Sequence, residues 1–187
     1  RIPGLGGQVM SKLGASTVSL PGGQIYENLV SGAIEATEWV GPYNDYFMKF
    51  YEAAKYYYYP GMHEPASQLA VGFNASFWSS LSESDKALVG AVAQAENGNV
   101  MAEYNAKNGA ALERLQTEQG VEVREFNEDV YEAFGRGAAE VFAEVVEHSA
   151  MARRIHESML NARKIVGDYV QLNDVEYINK RNAVLEG

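Results

Sequence analysis

Apolar and polar positions over residues 1–80 alternate between strand-like and helix-like periods. The runs TVSL, ATEWVG, KYYYYP and QLAVGF have the pattern of short strands, whereas GGQVMSKLG and QIYENLVSG have the pattern of helices. Gly32 is placed to end the second helix, and Pro42 is placed to begin the next one. Strands that alternate with short helices predict an α/β lobe over this range.

A helical period begins at Ser82. The stretch SESD has the form of a capping box, because Asp85 stands three residues after Ser82. Apolar residues then recur near helical spacing to about Gln119, and an unbroken helix of this length would extend about 55 Å. Asn97 and Gly98 weaken its middle. We therefore predict a long interlobe helix over 81–120.

The remaining residues, 121–187, begin with one alternating strand, VEVREF, and continue as helix. Asn127 can cap the helix that follows the strand. The tail from Ala150 onward is amphipathic and carries more apolar surface than a terminal helix leaves in water. Its apolar residues are Ile155, Met159, Ile165, Val166, Tyr169, Leu172, Val175 and Ile178. The tail is therefore a candidate dimerisation segment.

Composition and charge exclude several classes of function. The chain has 187 residues, of which 47% are hydrophobic, which is enough for one core or two small lobes. Its net charge of −10 argues against binding to nucleic acid or to an anionic membrane surface. Because the chain has no cysteine, disulfides and thiolate metal sites are excluded. It opens on Arg1 inside an apparent strand-to-helix turn, so we expect a fragment or a processed product.

Two places combine a charged side chain with a turn. Arg1 is followed by a glycine-rich turn, so it is either a surface arginine at a frayed terminus or a guanidinium that binds a carboxylate beside a helix N-terminus. Glu38 and Trp39 stand before Gly41 and Pro42. Either Trp39 is a core residue and Glu38 is solvated, or Glu38 binds a hard cation while Trp39 lines a pocket. The local pattern by itself favours the structural interpretation in both places.

Motifs of enzyme active sites are weak in this sequence. His63 and Glu64 are adjacent, which disfavours a zinc site of the helical His-Glu-x-x-His type. His148 and His156 lie in predicted helices, and no serine stands in a Gly-x-Ser-x-Gly context. Catalysis is therefore not the function that the residues favour.

Three segments together resemble the extracytoplasmic solute-binding subunits of TRAP transporters, the DctP type. They are RIPGLGG, PGGQIYENLVSGAIEATEWVGPYND and YYYYPGMHEP. The resemblance is closest to the branch that binds α-keto acids and related monocarboxylates. It covers nearly the whole chain but only the C-terminal half of a family member. It implies part of a periplasmic-binding-protein-like two-lobe α/β fold and a periplasmic location.

The resemblance also implies a set of site residues. Arg1 would pair with the ligand carboxylate. A bridging cation, sodium or calcium, would be held by Glu38 and by the carbonyl of Trp39, and Glu64 would be a further ligand to it. We also assign Tyr43, just after the turn, to ligand binding. The glutamine that completes the cation's ligands in the family would come from a preceding strand that this chain does not contain.

The function implied is that of a receptor and not of an enzyme. It would capture a small 2-oxo or 2-hydroxy monocarboxylate and deliver it to the membrane permease of a TRAP transporter. Keto-acid-binding relatives exchange C-terminal helices, so a homodimer is expected. The alternative is a metal-assisted enzyme acting on a keto acid, with Glu38 or His63 as the base. A purely helical interaction module is disfavoured by the glycine-rich residues 1–80.

Overall fold

The structure, a computed structural model, describes residues 1–62 and 69–185. The chain divides into two compact units, Arg1–Phe134 and Gly135–Gly187. This division differs from the three segments expected from the sequence, whose proposed roles stay predictions.

The first unit is mostly helical and contains a small sheet. Its helices are α1 (Gly4–Lys12), α2 (Ile25–Ser31), α3 (Pro42–Phe47), α4 (Ala75–Ser80), α5 (Glu83–Thr117) and the beginning of α6 (Glu128–His148), with 3₁₀ turns at Gly22–Gln24 and Phe50–Glu52. Its strands are β1 (Tyr56–Tyr59) and β2 (Glu122–Glu125). The second unit continues α6 and adds α7 (Ala150–Val170), a π-helical turn (Gln171–Val175) and α8 (Glu176–Leu185).

Helix boundaries follow the local signals in the sequence. Gly32 ends α2 with a φ of 73°, a left-handed conformation that glycine adopts without steric cost. Pro42 is the first residue of α3, where its missing N–H has no helical acceptor to lose. Ser82 and Asp85 form the expected capping box at the start of α5. These three predictions are confirmed.

The long helix is also confirmed, because α5 runs without a break for 35 residues. Gly98 and Asn97 do not end it. One glycine in a helix interior costs only about 1 kcal/mol relative to alanine, which the remaining helical hydrogen bonds and packing offset. Its expected role as a connection between two lobes stays a prediction.

The sheet consists of two parallel strands in the part of the chain that the structure describes. Tyr56 pairs with Glu122, and the register continues to Tyr59 and Glu125. The predictions of strands in KYYYYP and VEVREF are therefore confirmed. The predictions for TVSL, ATEWVG and the described part of QLAVGF, residues 69–73, are wrong, because these segments lie outside strands and helices.

The segments TVSL and ATEWVG nevertheless contact the start of the chain. The N–H of Ile2 donates to the carbonyl of Val18 at 3.2 Å. The backbone of Arg1 donates to Ala36 at 2.6 Å and accepts from the N–H of Glu38 at 3.3 Å. Pairing stops there because Pro3 has no N–H and α1 begins at the next residue. A single bridge is too short to make a strand.

A small core lies beside these paired segments. Its buried residues are Ile25, Leu29, Ile34 and Phe50, and Leu20, Tyr26, Trp39, Met48 and Ala53 pack against them. Burial of such aliphatic and aromatic side chains is the main favourable term in folding. This core therefore fixes one side of the segment that carries Glu38 and Trp39.

The second unit has a different character. Within the described residues, α7, the π-helical turn and α8 contain no buried residue. The apolar residues predicted to be in excess there are all exposed, from 37% at Val175 to 74% at Leu172. The tail is helical throughout its described length, as expected. No helix in the described residues is long and apolar enough to cross a membrane.

Candidate functional site

Arg1 lies in a shielded corner formed by three segments. Its side chain is only 10% exposed, and its Nη1 atom is 2.5 Å from Oε1 of Glu38. Nε donates to the carbonyl of Leu20 at 3.1 Å, and Nη1 also lies 3.4 Å from the carbonyl of Glu38. The interpretation of Arg1 as a surface arginine at a frayed terminus is therefore wrong. The two partner residues, Leu20 and Glu38, lie 19 and 37 residues away, so the tertiary fold fixes this guanidinium.

Trp39 forms another wall of the same corner. The guanidinium carbon of Arg1 is 5.4 Å from the centre of the indole ring, within the range of a cation–π contact. The ring also packs against the core, and it approaches Gly22 so closely that a Cβ there would lie 2.5 Å from the indole Cη2 atom. Glycine at this position lets the chain pass over the ring. Trp39 is therefore both a core residue and a neighbour of the charged pair.

Glu38 directs its carboxylate to Arg1 and is 20% exposed, so the interpretation of a solvated glutamate is also wrong. Its carbonyl accepts a hydrogen bond from the Thr37 hydroxyl at 2.9 Å. Carboxylate and backbone carbonyl oxygens are the ligands that sodium and calcium prefer, so the donors at Glu38 and Trp39 fit such a cation. The described residues contain no cluster of three His, Asp or Glu side chains that could hold a metal. Among the described residues, a cation here would therefore draw on backbone oxygen atoms as well as on Glu38.

Tyr43 contacts α5. Its N–H donates to Oδ1 of Asn108 at 3.0 Å, and its hydroxyl donates to Glu103 at 3.2 Å. Lys107 donates to the same hydroxyl at 3.0 Å and stands 4.9 Å from the centre of the ring. Within the described residues, the polar contacts of Tyr43 are thus with α5 and not with Arg1, so its assignment to ligand binding stays a prediction.

The remaining predicted site residue, Glu64, lies outside the described residues, as does His63. The structure therefore brings together three of the five predicted residues, namely Arg1, Glu38 and Trp39. Their assignment as ligand-binding and cation-binding residues stays a prediction.

A hydrogen-bonded pair beside this corner, with Asp45 buried and Tyr57 half-buried, was not predicted from the sequence. Asp45 is 8% exposed and accepts a hydrogen bond from the Tyr57 hydroxyl at 2.6 Å. Burial raises the pKa of the Asp45 carboxyl, and burial together with the nearby carboxylate raises the pKa of Tyr57. An aspartate in the first turn of a helix usually interacts with the helix dipole, so Asp45 gave no distinctive signal. Tyr57 was one of four consecutive tyrosines.

Comparison with known families gives a match over most of the chain. A profile of the family described as DctP, bacterial extracellular solute-binding protein, family 7, matches residues 1–149. A monocarboxylate 2-oxoacid-binding periplasmic protein of Nostoc sp. (strain PCC 7120) is 36% identical over 179 residues, which cover 96% of this chain and 49% of that protein.

Solved structures of TRAP periplasmic solute-binding proteins have the same fold over this chain. The protein from Colwellia psychrerythraea, with bound calcium and pyruvate, matches with a TM-score of 0.90 at 30% identity, covering 96% of this chain and 55% of that one. The protein from Pseudoalteromonas atlantica, with bound sodium and pyruvate, has the same TM-score and identity, and the match covers 96% of this chain and 54% of that one. A solute-binding protein from Bordetella bronchiseptica, a mixed-occupancy dimer with copurified calcium and picolinate, matches with a TM-score of 0.89 at 28% identity, covering 99% of this chain and 55% of that one.

These matches decide the fold class and the family. The chain spans about half the length of the proteins it matches, 49% of the curated relative and 55% of the first solved structure. Within that half, the expected partial periplasmic-binding-protein-like fold is confirmed. The expectation of a cation beside a small carboxylate agrees with the calcium or sodium bound in the solved relatives. The chain belongs to the DctP family of bacterial extracellular solute-binding proteins.

Proposed function

We propose that this protein is the periplasmic solute-binding receptor of a TRAP transporter, and that it captures a small 2-oxo or 2-hydroxy monocarboxylate. The observation that carries the proposal is the shielded Arg1–Glu38 pair against Trp39. It occurs in a chain 36% identical to a monocarboxylate 2-oxoacid-binding protein. The family consists of solute-binding proteins and not of enzymes, so the alternative of a metal-assisted enzyme is set aside.

Arg1 is proposed to bind the carboxylate of the ligand. Its Nε and Nη1 atoms donate to Leu20 and Glu38, whereas Nη2 donates to no described residue. The planar guanidinium can therefore still offer donors to a second carboxylate, and low exposure strengthens that interaction. Lysine would keep the charge but lose the paired geometry.

Glu38, the Trp39 carbonyl and Glu64 are proposed to hold a sodium or calcium ion. When bound, such a cation would supply a second positive charge for the oxygen atoms of the ligand. The net charge of −10 makes a local positive site necessary if the protein is to attract an anion. Glu38 would thus face both the guanidinium of Arg1 and the cation.

Assembly and delivery are part of the same proposal. The receptor would pass its ligand to the membrane permease of the transporter. The exposed apolar side chains of α7 and α8 would be covered by a second copy of the chain in a homodimer. One solved relative, from Bordetella bronchiseptica, is a dimer.

The ligand half of the proposal is tested by replacing Arg1 with lysine. The protein is expressed from the whole reading frame that encodes these residues, and pyruvate is titrated by calorimetry in the presence of calcium or sodium. Loss of good geometry at a desolvated charge pair costs about 2–5 kcal/mol of binding free energy, so Arg1→Lys should bind markedly more weakly. The matched control is Arg153→Lys, because Arg153 forms an exposed ion pair with Glu147, and it should bind as the wild type does.

The cation half is tested by Glu38→Gln. Glutamine keeps the shape of the side chain but removes the charge that would hold the cation, so pyruvate affinity should fall and should no longer depend on which ion is supplied. Glu147→Gln, in the exposed pair with Arg153, is the control. If Arg1→Lys and Glu38→Gln both bind pyruvate as tightly as the wild type, these residues do not form the site.

A further inference from the structure

Asp45 is the one charged residue that is buried within the described residues, with 8% of its surface exposed. A carboxylate removed from water is unfavourable unless hydrogen bonds or an opposite charge compensate. The described partners of the Asp45 carboxylate are neutral donors: the Tyr57 hydroxyl at 2.6 Å, the N–H of Val40 at 3.4 Å and, beside it, the backbone of Gly41. An apolar side chain would fill the same space without this cost, so packing alone does not account for Asp45.

The hydrogen bond from Val40 connects Asp45 to the proposed cation site, because a single peptide group carries both the donor and a proposed cation ligand. The N–H of Val40 belongs to the same peptide unit as the carbonyl of Trp39. In a trans peptide the N–H and the C=O point in opposite directions. When the N–H points to Asp45, the Trp39 oxygen therefore points away from Asp45, and a negative charge at the N–H end polarises the carbonyl towards its oxygen.

The backbone of Asp45 and the hydrogen bond from Tyr57 hold this side chain in place. Its own N–H donates to the carbonyl of Gly41 at 2.9 Å, which is the first hydrogen bond of α3 and follows directly after Trp39 and Val40. Its other carboxylate oxygen, Oδ2, accepts from Tyr57, whose strand β1 is paired with β2. Tyr57 is half-buried, whereas the other three tyrosines of β1 are 45–47% exposed. Of these four tyrosines, Tyr57 is thus the one whose hydroxyl hydrogen-bonds to Asp45.

We propose that Asp45 is a positioning residue that aims and polarises the Trp39 carbonyl towards the bound cation, with Tyr57 anchoring it to β1. This inference rests on the proposed function of Glu38 and Trp39. Groups that orient a metal ligand from behind typically change metal affinity or activity about 10–100-fold when they are removed.

The test compares Asp45→Ala with Asp45→Asn. Alanine removes the acceptor for the Val40 N–H, so the affinity for pyruvate in calcium should fall about 10–100-fold. Asparagine can still accept from Val40 and donate to the Tyr57 oxygen, so it should recover part of this loss. Affinities are measured by calorimetry on the protein from the whole reading frame, at a temperature where every variant is folded.

A tyrosine pair on β1 provides the matched control. Tyr57→Phe removes the hydroxyl that anchors Asp45 and should weaken binding less than Asp45→Ala does, because the Val40 hydrogen bond remains. Tyr59→Phe alters an exposed ring of the same strand and should leave the affinity unchanged. If Asp45→Ala does not fold, equal affinities of Tyr57→Phe and Tyr59→Phe overturn the inference.

A second measurement requires no ligand. The chain has two tryptophans, so in a Trp78→Phe background the fluorescence reports Trp39 alone, provided that the whole reading frame adds no further tryptophan or that any such residue is also replaced. Asp45→Ala should shift this emission and Tyr59→Phe should not.

If the wild type binds no pyruvate with either cation, the proposed function fails, and unchanged Trp39 emission in Asp45→Ala then overturns the positioning role as well. If the wild type binds and Asp45→Ala binds equally tightly, the inference fails whatever happens to thermal stability.

Discussion

The corner around Arg1 and the helical tail from Ala150 onward differ in how far their side chains are exposed to solvent. In the corner, the Arg1–Glu38 pair is 10% and 20% exposed, and Trp39 packs against a core. In the tail, α7, the π-helical turn and α8 have no buried residue among those described. The charged groups of the corner have partners from the same chain, whereas the apolar side chains of the tail are exposed in the part of the chain that the structure describes.

Two arginine–glutamate pairs show what this difference means for charge. Arg153 and Glu147 are 2.9 Å apart but 51% and 76% exposed. Exposed pairs of this kind contribute about 0–1 kcal/mol, because water screens the charges and the side chains lose freedom. The pair of Arg1 and Glu38 is shielded from water, so a change in either partner should alter the affinity for the proposed ligand. Shielding, and not the presence of the pair, separates a candidate site from ordinary surface.

The largest expected effect comes from removing the tail. A protein that ends after residue 149 should not form the proposed homodimer, because the exposed apolar side chains proposed to form it are gone. Sedimentation should then show the mass of one chain in place of two. A full-length protein that is already monomeric, with unchanged behaviour after the deletion, would contradict the proposed role of the tail.

A single charge placed on the tail sharpens this test. Ile165→Glu changes one side chain that is 63% exposed, so it should weaken the dimer without disturbing the fold of one chain. Lys164→Gln, at the neighbouring and 76% exposed position, is the control and should leave the dimer intact.

The next effect concerns α5, whose Asn108 and Lys107 contact Tyr43 of α3. Ala95→Pro should lower the free energy of unfolding by about 3 kcal/mol or more, because proline removes a helical hydrogen bond and clashes with the preceding turn. Ala95→Gly should cost only about 1 kcal/mol and serves as the control. Urea unfolding measures both, and equal costs would mean that the continuity of α5 is unimportant.

The smallest effect separates two adjacent glycines. A methyl group at Gly22 would lie 2.5 Å from the Trp39 ring, whereas nothing lies within 4 Å of a methyl group at Gly23. Gly22→Ala should therefore cost about 1–3 kcal/mol of stability and displace the indole, as overpacking does elsewhere. Gly23→Ala should be near neutral. Thermal unfolding and Trp39 fluorescence compare the two, and equal behaviour would show that the ring is free to move.

Sequence alone was sufficient where the signal is local. The capping box at Ser82, the left-handed Gly32 and the first-turn Pro42 each act within a few residues, so their helix boundaries were predictable. Periodicity also gave β1 and β2, and the resemblance carried by the Glu-Trp-Val-Gly-Pro segment led to the family.

The tertiary structure decided what depends on distant partners. ATEWVG has a strand pattern, but only one bridge to Arg1 forms, because a strand requires a neighbour with free N–H groups along its length. Burial of Arg1, and the pairing of Asp45 with Tyr57 12 residues away, follow from packing and leave no local pattern. A sequence specifies short-range geometry directly, whereas shielding from water is a property of everything that packs around a residue.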